Sequence, residues 1–276
     1  MHARTQYFRT AIPVDVKADS SPVTMADRAA EVTMRALIAA RFPSHAVFGE
    51  EGGLTRGVGA SEELVWVLDP IDGTKSFITG KPLFGTLVAL VHAPSGTPLL
   101  GIIDQPVLRE RWLGVRGQQT TMNGAAVSTR LCPELRDAYL YSTTPLMFDA
   151  QSQPAYQALA DAVRIPMFGC DCYAYGKHFD CVRMINECTR SVLMLCLSGL
   201  LSMGHCDLVA EADLKPYDFM ALVPVVEGAG GVMSDWCGQP LRWRLSDSGE
   251  ARGEVLAAGD AHAHAAALAI LSTHFR

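Results

Sequence analysis

The stretch Trp66–Phe77 reads WVLDPIDGTKSF, and the fold and the chemistry both turn on it. An apolar run, LVWVL (64–68), drives straight into Asp69; Pro70, Ile71, Asp72 and Gly73 follow. The run has the β-branched and aromatic content of a buried strand. Its end carries two carboxylates three residues apart, with a proline between them that fixes the chain direction. Ile71 brings only its backbone carbonyl, so three oxygens, from Asp69, Ile71 and Asp72, can face one point. Clustered hard oxygens suit Mg2+, Mn2+ or Ca2+. Gly73 and Thr74 then open a helix over GTKSFI, and the free N–H groups at a helix start bind phosphate. Taken singly, DPIDG is a turn, because Asp, Pro and Gly are turn residues. The functional reading depends on what else gathers there.

Two further acidic groups supply that company. FGEEGG places Glu50 and Glu51 at a strand end before glycines, and EADLKPYDFMAL places Glu211 and Asp218 at the mouth of another helix. Packed carboxylates raise one another's pKa unless cations neutralise them. Two divalent ions about 4 Å apart do this, and also clamp the attacking and leaving oxygens of a phosphoryl transfer.

Outward from this loop the chain alternates sheet and helix. SPVTMADRAAEVTMRALIAARFP predicts a helix capped by Thr24 or Ser21, with Asp27 in its first turn and Pro43 as its stop. Met25, Ala29, Val32, Ala36 and Ala39 recur along it at the spacing of an apolar stripe. HAVFG and ELVWVLD read as strands. FGTLVALVH, PLLGIIDQP, ERWLGVRG and TTMNGAAVSTR read as an antiparallel meander, punctuated by Gly and Pro. In the second half, QPAYQALADAVR, YDFMALVPVVEGAGG and HAHAAALAILSTHF read as helices, and HCDLVAEA and GVMSDW as strands. The pattern is a layered α/β or α+β fold.

The bulk composition narrows the partners. The chain has 276 residues, 49% hydrophobic and 19% charged, enough for one large domain or two halves sharing a core. A net charge of −6 is not the basic stripe that nucleic acid requires. The cysteines at 132, 170, 172, 181, 188, 196, 206 and 237 show no zinc spacing, and CDC (170–172) is not a CxxC pair. No signal peptide is read before residue 30, so reduced thiols and an intracellular, soluble protein are expected. The longest apolar run, VLMLCLSGLL (192–201), is too short to cross a bilayer. A cysteine phosphatase would need a basic, glycine-rich loop beside CDC, and none is present.

At GEE, WVLDPIDGTKSF and KPYDFMALVPVVEGAGG the chain resembles the inositol monophosphatase-like family of Mg2+-dependent phosphatases. KADSSPVTMADR, GTKSFITGKPLFGTLVALV, IIDQPVLRERWLG, FGCDCYAYG and EADLKPYDFMALVPVVEGAGG are similar to its histidinol-phosphate phosphatase branch. The resemblance runs from about residue 4 to the end. It implies an α+β fold, a layered αβαβα sandwich of the inositol monophosphatase/fructose-bisphosphatase type, as one phosphatase domain over 1–276. Within that domain it implies an N-terminal half (1–130) holding the metal loop, a C-terminal half (131–276), and a homodimer. It implies that Glu50, Asp69, the Ile71 carbonyl, Asp72 and Asp218 hold two or three Mg2+ ions per site. It pairs Asp27 with Thr74 to orient and deprotonate the attacking water, beside the metal ligand Glu50. It further implies that Gly73 and Thr74 donate to phosphate, that Lys17 and Glu51 support the metal ligands from behind, and that Glu211 binds substrate. The substrate is a small phosphorylated metabolite: histidinol phosphate in histidine biosynthesis, or else inositol monophosphate or a sugar phosphate. Inositol-type relatives place a small residue where this chain has Asp171. A carboxylate there can pair with the ammonium group of histidinol phosphate, or it can cap the helix that follows.

Two departures from the family pattern stand out. Only a few residues precede YFRT, where the family usually has a further amphipathic helix, so a shortened start and exposed apolar surface are expected. And Lys177–Ser198, KHFDCVRMINECTRSVLMLCLS, separates CDCYAYG from LLSMGHCDLVAEAD, which the family runs together in one helix. Gly176-Lys177 can be encoded GGTAAG and Ser198-Gly199 can begin TCAGG, so a retained intron that keeps frame is one reading. A lineage-specific helical extension is the other. Its length, about six helical turns, cannot be absorbed in a packed core, so it is extruded or it displaces that helix. If displacement spoils the pocket, the chain is a non-catalytic, mis-spliced or truncated product. An intron would make the gene eukaryotic, and the compartment then cytoplasm or plastid.

Overall fold

The computed structural model describes residues 7–16, 22–59, 63–175, 201–244 and 253–275. Short antiparallel strands β1 (Val14–Val16) and β2 (Pro22–Thr24) lead into helix α1 (Met25–Arg41). Then come β3 (Ala46–Gly49), β4 (Gly53–Thr55), β5 (Leu64–Asp72) and the short α2 (Thr74–Ile78). The predicted meander follows as β6 (Gly85–His92), β7 (Thr97–Gln105), β8 (Glu110–Val115), β9 (Thr121–Met122) and β10 (Ala125–Ala126). Together these form a sheet in the order β10-β9-β8-β7-β6-β5-β3-β4, antiparallel except where β3 runs parallel to β5.

The second half opens with β11 (Tyr139–Ser142), α3 (Gln153–Ala162) and β12 (Ile165–Phe168), then a 3-10 turn at Asp171–Tyr175. It continues with β13 (Leu208–Leu214), α4 (Pro216–Phe219), α5 (Leu222–Gly228), β14 (Val232–Ser234), β15 (Gly253–Ala258) and α6 (Ala261–His274). Its sheet runs β12-β11-β13-β15-β14.

The layers follow from which faces are apolar. Phe219, Met220, Leu222, Val225 and Val226 of the α4–α5 segment share one buried cluster with Val67, Leu87 and Ile103 of the first sheet and Val209 and Val255 of the second. A helical layer is therefore sandwiched between two sheets. Tyr156 and Leu159 of α3 and Ala263, Ala267 and Leu271 of α6 cover the outer face of the second sheet, and α1 packs on β5 of the first. This is the αβαβα sandwich of an α+β fold. Gly101 on β7 and Gly114 on β8 let the middle layer approach, because a Cβ at either would collide with the backbone carbonyl of Ala221 or Pro224.

Three local expectations are corrected. The stripe Met25–Val32–Ala36 is not the buried face of α1: Met25 is 48% and Val32 66% exposed, whereas Ala26, Asp27, Ala30 and Glu31 are buried. The strand at Leu64 does not end at Asp69 but continues through Pro70 to Asp72. And YDFMALVPVVEGAGG is two helices, not one, α4 ending at Phe219 and α5 beginning at Leu222.

Thr24 is the N-cap of α1, its hydroxyl accepting from Ala26 N at 3.1 Å; the alternative cap, Ser21, lies outside the described residues. So does the suspected insertion Lys177–Ser198. The chain on either side of it meets directly, with Leu201 N donating to Ala174 O at 3.1 Å and Ser202 N to Tyr175 O at 3.2 Å. Tyr175 and Leu201 are fully buried at that junction. Among the described residues Cys132, Cys170, Cys172, Cys206 and Cys237 are free thiols. No helix among them is long and apolar enough to cross a membrane. The expectation about the start concerns residues before Tyr7, the first described residue.

Candidate active site

Residues three apart on a regular strand point to opposite faces. Asp69 and Asp72 escape that rule because β5 carries a bulge. Asp69 pairs with Leu87 and Asp72 with Gly85, so three steps on β5 face two on β6. One extra residue turns both carboxylates to the same side. Thr86 Oγ1 pins the bulge by donating to Pro70 O at 2.6 Å. The proline suits this position because it has no N–H for the ladder to miss.

Asp218 arrives from the opposite layer. Pro216 opens α4, and Asp218, at the third helical position, accepts from Lys215 N at 2.7 Å. Ligand oxygens of Asp69, Asp72 and Asp218 then lie within 4.8 Å of one another. Glu50 joins them from the turn after β3: its N–H donates to Leu68 O at 3.1 Å, and its carboxyl reaches a hydrogen bond with Asp69.

The electrostatics mark the cluster as built for positive charge. Burial, then Glu50, Asp72 and Asp218, push Asp69 well above the usual carboxylate range. Burial, then Asp72 and Glu50, do the same to Asp218. Asp72 is pushed by burial to about 6, against the lowering effect of its bonds from Cys172; the Cys172 N–H donates to Asp72 Oδ2 at 2.6 Å. Asp69 is 2% exposed, and its Oδ1 has no hydrogen-bond partner among the described residues. A buried, unpartnered carboxylate oxygen among repelling acids is costly, and a divalent cation held by hard oxygens removes that cost. The clustered carboxylates of Asp69, Asp72 and Asp218 fit a hard divalent cation such as Mg2+.

Beside the acids, Gly73 turns the chain at φ +85 into α2. This helix has five residues, so a phosphate there would rest on the turn's N–H groups more than on any helix dipole. Thr74 Oγ1 donates to Ile71 O at 3.1 Å. Asp27 is fully buried at the start of α1, its Oδ2 accepting from Thr24 N at 2.8 Å and from Thr24 Oγ1 at 2.5 Å. Ala26 packs with Ile71 and Phe77, which brings this helix start against the loop.

Asp171 lies against Gly73, and Glu211 is close enough to Asp72 and Asp171 to interact with both. Asp171 Oδ2 accepts from Ser76 Oγ at 3.1 Å, across to α2, rather than capping its own turn. A Cβ on Gly73 would lie 2.7 Å from that same oxygen. Burial, then Asp72, push Asp171 up to about 8. Glu211 is 3% exposed and both of its oxygens accept: Oε1 from Thr143 N at 3.1 Å and Oγ1 at 2.5 Å, and Oε2, among the described residues, from Tyr175 OH alone at 2.6 Å. Burial still raises its pKa. The CDC thiols are no nucleophiles, because burial holds Cys170 up at about 12 and Cys172 well above the usual thiol range.

Some functional neighbours were not read from the sequence. Ser76, Thr143 and Tyr175 hold Asp171 and Glu211 but carry no motif of their own. Glu31 and Arg35 grip the turn bearing Glu50 and Glu51, and their signal was their spacing, four and eight residues after Asp27 on one helix face. Lys17 lies outside the described residues.

Comparison with known proteins agrees with this fold. The model of the Inositol monophosphatase family matches residues 1–274. The chain is 48% identical over 270 residues to the "Bifunctional phosphatase IMPL2, chloroplastic" of Arabidopsis thaliana, covering 98% of this chain and 70% of that protein. It is 33% identical over 237 residues to the histidinol-phosphatase of Chlorobaculum parvum, 84% of this chain and 80% of that one. Among solved structures, an inositol monophosphatase from Zymomonas mobilis superposes with a TM-score of 0.77 at 41% identity, covering 98% of this chain and 92% of the other.

Proposed function

The chain belongs to the inositol monophosphatase family of phosphatases, and from that premise we propose that it hydrolyses L-histidinol phosphate to L-histidinol and phosphate in histidine biosynthesis. The observation that carries the phosphatase chemistry is the buried Asp69–Asp72–Asp218 cluster with its unpartnered oxygen. The substrate assignment is carried by Asp171, whose carboxylate leans over Gly73, where the phosphate-binding turn begins.

Glu50, Asp69, Asp72, Asp218 and the Ile71 carbonyl would hold Mg2+. The chemistry such a cation would supply there is Lewis-acid: a more acidic water and an offset for charge on the phosphate and the departing oxygen. The chain's residues do the rest. Gly73 and Thr74 N–H groups seat the phosphate. The Thr74 hydroxyl, which donates to Ile71 O, keeps its lone pairs for the attacking water. Asp27, buried at the adjacent helix start, would take the proton that this water gives up, and the departing oxygen would take a proton from solvent. Glu211, fixed by Thr143 and Tyr175, takes a donor of the leaving group, and Asp171 takes its ammonium. Glu51 would back the ligands from the same turn as Glu50. No covalent enzyme intermediate is required, in keeping with thiols held protonated by burial.

The likeness to the Zymomonas mobilis inositol monophosphatase favours a second reading, hydrolysis of inositol monophosphate. The two separate on one assay: phosphate release from each substrate with Mg2+. Preference for histidinol phosphate supports the first reading. Preference for inositol monophosphate overturns it, and Mg2+ binding without release from either substrate favours a non-catalytic chain. The homodimer and a plastid or cytoplasmic location belong to the same proposal, supported by the family and by a relative called chloroplastic.

A further inference from the structure

Glu31 is a charged residue placed where a core residue would be expected. It is 2% exposed on α1, and no part of the reaction outlined above uses it. Its two oxygens divide their work. Oε2 accepts from Glu51 N at 2.8 Å; Oε1 accepts from Gly52 N at 2.8 Å and from Arg35 Nε at 2.8 Å. Arg35 continues around the same turn, with Nη2 donating to Gly53 O at 2.6 Å and Nη1 to Thr55 Oγ1 at 3.0 Å. The turn that follows β3 is thus held by a carboxylate on its N–H side and a guanidinium on its C=O side.

The glycines belong to this device. A Cβ on Gly49 would lie 2.5 Å from Glu31 Oε1, and one on Gly52 would lie 2.8 Å from it. The carboxylate occupies the space that side chains would fill. Glu50 and Glu51 stand between these two glycines, and Glu31 grips the backbone of the two residues that follow Glu50. Paired, buried carboxylates are expensive unless they secure something, and here the secured element carries a ligand of the acidic cluster.

We propose that Glu31, braced by Arg35, is a positioning residue that aims the Glu50 carboxylate at Asp69 and so sets the affinity of the cluster for Mg2+. The proposal rests on the reading of Glu50 as a cation ligand. Groups that orient metal ligands from outside typically change affinity by about 10- to 100-fold. Glu31→Gln keeps the shape but presents an NH2 group to a donor, so one grip is lost.

The test is Mg2+ titration calorimetry on the full chain, at a temperature where every variant is folded without metal, with the metal-free melting temperature measured alongside. Glu31→Gln is expected to weaken Mg2+ binding about 10-fold, as is Gly49→Ala, which displaces the carboxylate without removing it. In a Glu31→Ala background, Gly49→Ala is expected to add nothing, because the collision is gone. Glu50→Gln serves as the reference. If Glu50→Gln weakens binding while Glu31→Gln and Gly49→Ala bind like the parent, the positioning role is overturned and the Glu50 reading stands. If Glu31→Gln lowers only the melting temperature, Glu31 is structural and the inference fails. If Glu50→Gln itself binds like the parent, Glu50 is no ligand, and both readings fall.

Discussion

Asp171→Asn is the substitution that tests substrate recognition most directly. Asp171 has φ +44, in the left-handed region, and Cys170 before it has φ +81. Asn and Asp are the non-glycine residues that tolerate this backbone best, so Asn keeps the turn where Ala would strain it. Asn also keeps an oxygen for Ser76 Oγ, which now donates to Asp171 Oδ2 at 3.1 Å. What is lost is a carboxyl that burial holds up at about 8 and that a bound ammonium group would draw into its charged form. A hydrogen bond between an ammonium and a carboxylate contributes about 1.5–3 kcal/mol, which converts to roughly 10- to 150-fold in affinity. The kcat/KM for histidinol phosphate is therefore expected to fall roughly 10- to 150-fold, mostly through KM. Inositol monophosphate, which has no ammonium group, should be hydrolysed as before or somewhat faster. The assay is initial-rate phosphate release across both substrates at saturating Mg2+, with Ser76→Ala as a milder variant expected to move the same way. An equal fall on both substrates would mean that Asp171 serves the phosphate turn and not the leaving group. No fall on histidinol phosphate would refute the recognition argument outright.

Three further outcomes are expected. Asp218→Asn should lower phosphate release by more than about 100-fold, the upper end of outer-sphere effects. It should also raise the metal-free melting temperature by relieving repulsion, and shrink the further rise that Mg2+ gives; a lower metal-free melting temperature would argue against a repelling cluster. Deleting 177–198 should leave a folded chain, because Leu201 and Ser202 already hydrogen-bond back to Ala174 and Tyr175; melting followed by circular dichroism checks this, and an aggregated product would count against it. His264, buried and bonded to Ser234 Oγ at 2.9 Å, has its pKa lowered by burial from the ordinary 6.5. A depressed histidine stabilises the fold at pH above its unfolded value and loses that contribution as pH falls toward its folded one. Denaturant titrations should therefore show the parent losing more stability than His264→Gln between about pH 7 and 5.

Much of this was legible in the residues, and the failures have physical causes. The meander from Gly85 to Val115 followed from alternation and turn residues. The acidic loop that joins the cluster followed from acids next to Pro and Gly. What stayed hidden was the bulge, since register is a property of a strand pair and not of one strand. The spacing of Asp69 and Asp72 looked like a strand end, whereas it is one residue out of register within a continuing strand. Thr143 and Tyr175 were equally invisible, because they meet Glu211 across 68 and 36 residues of chain.

Helix α1 shows the same limit from the other side. A stripe of Met25, Val32 and Ala36 is what apolar periodicity selects, yet it is Asp27 and Glu31 that are buried. Periodicity assumes that a helix buries what dislikes water. This helix lies against a loop whose N–H groups need partners, so its inner face must carry acceptors: Asp27 for its own start and Glu31 for the Glu50 turn. Arg35 then balances the charge that Glu31 buries, with 2.8 Å between Arg35 Nε and Glu31 Oε1. The apolar residues are left outside, where exposed singles are tolerated. An inward-facing acid at i and i+4 on an amphipathic helix is thus a site signal in its own right, and it points to the loop that the helix is built to hold.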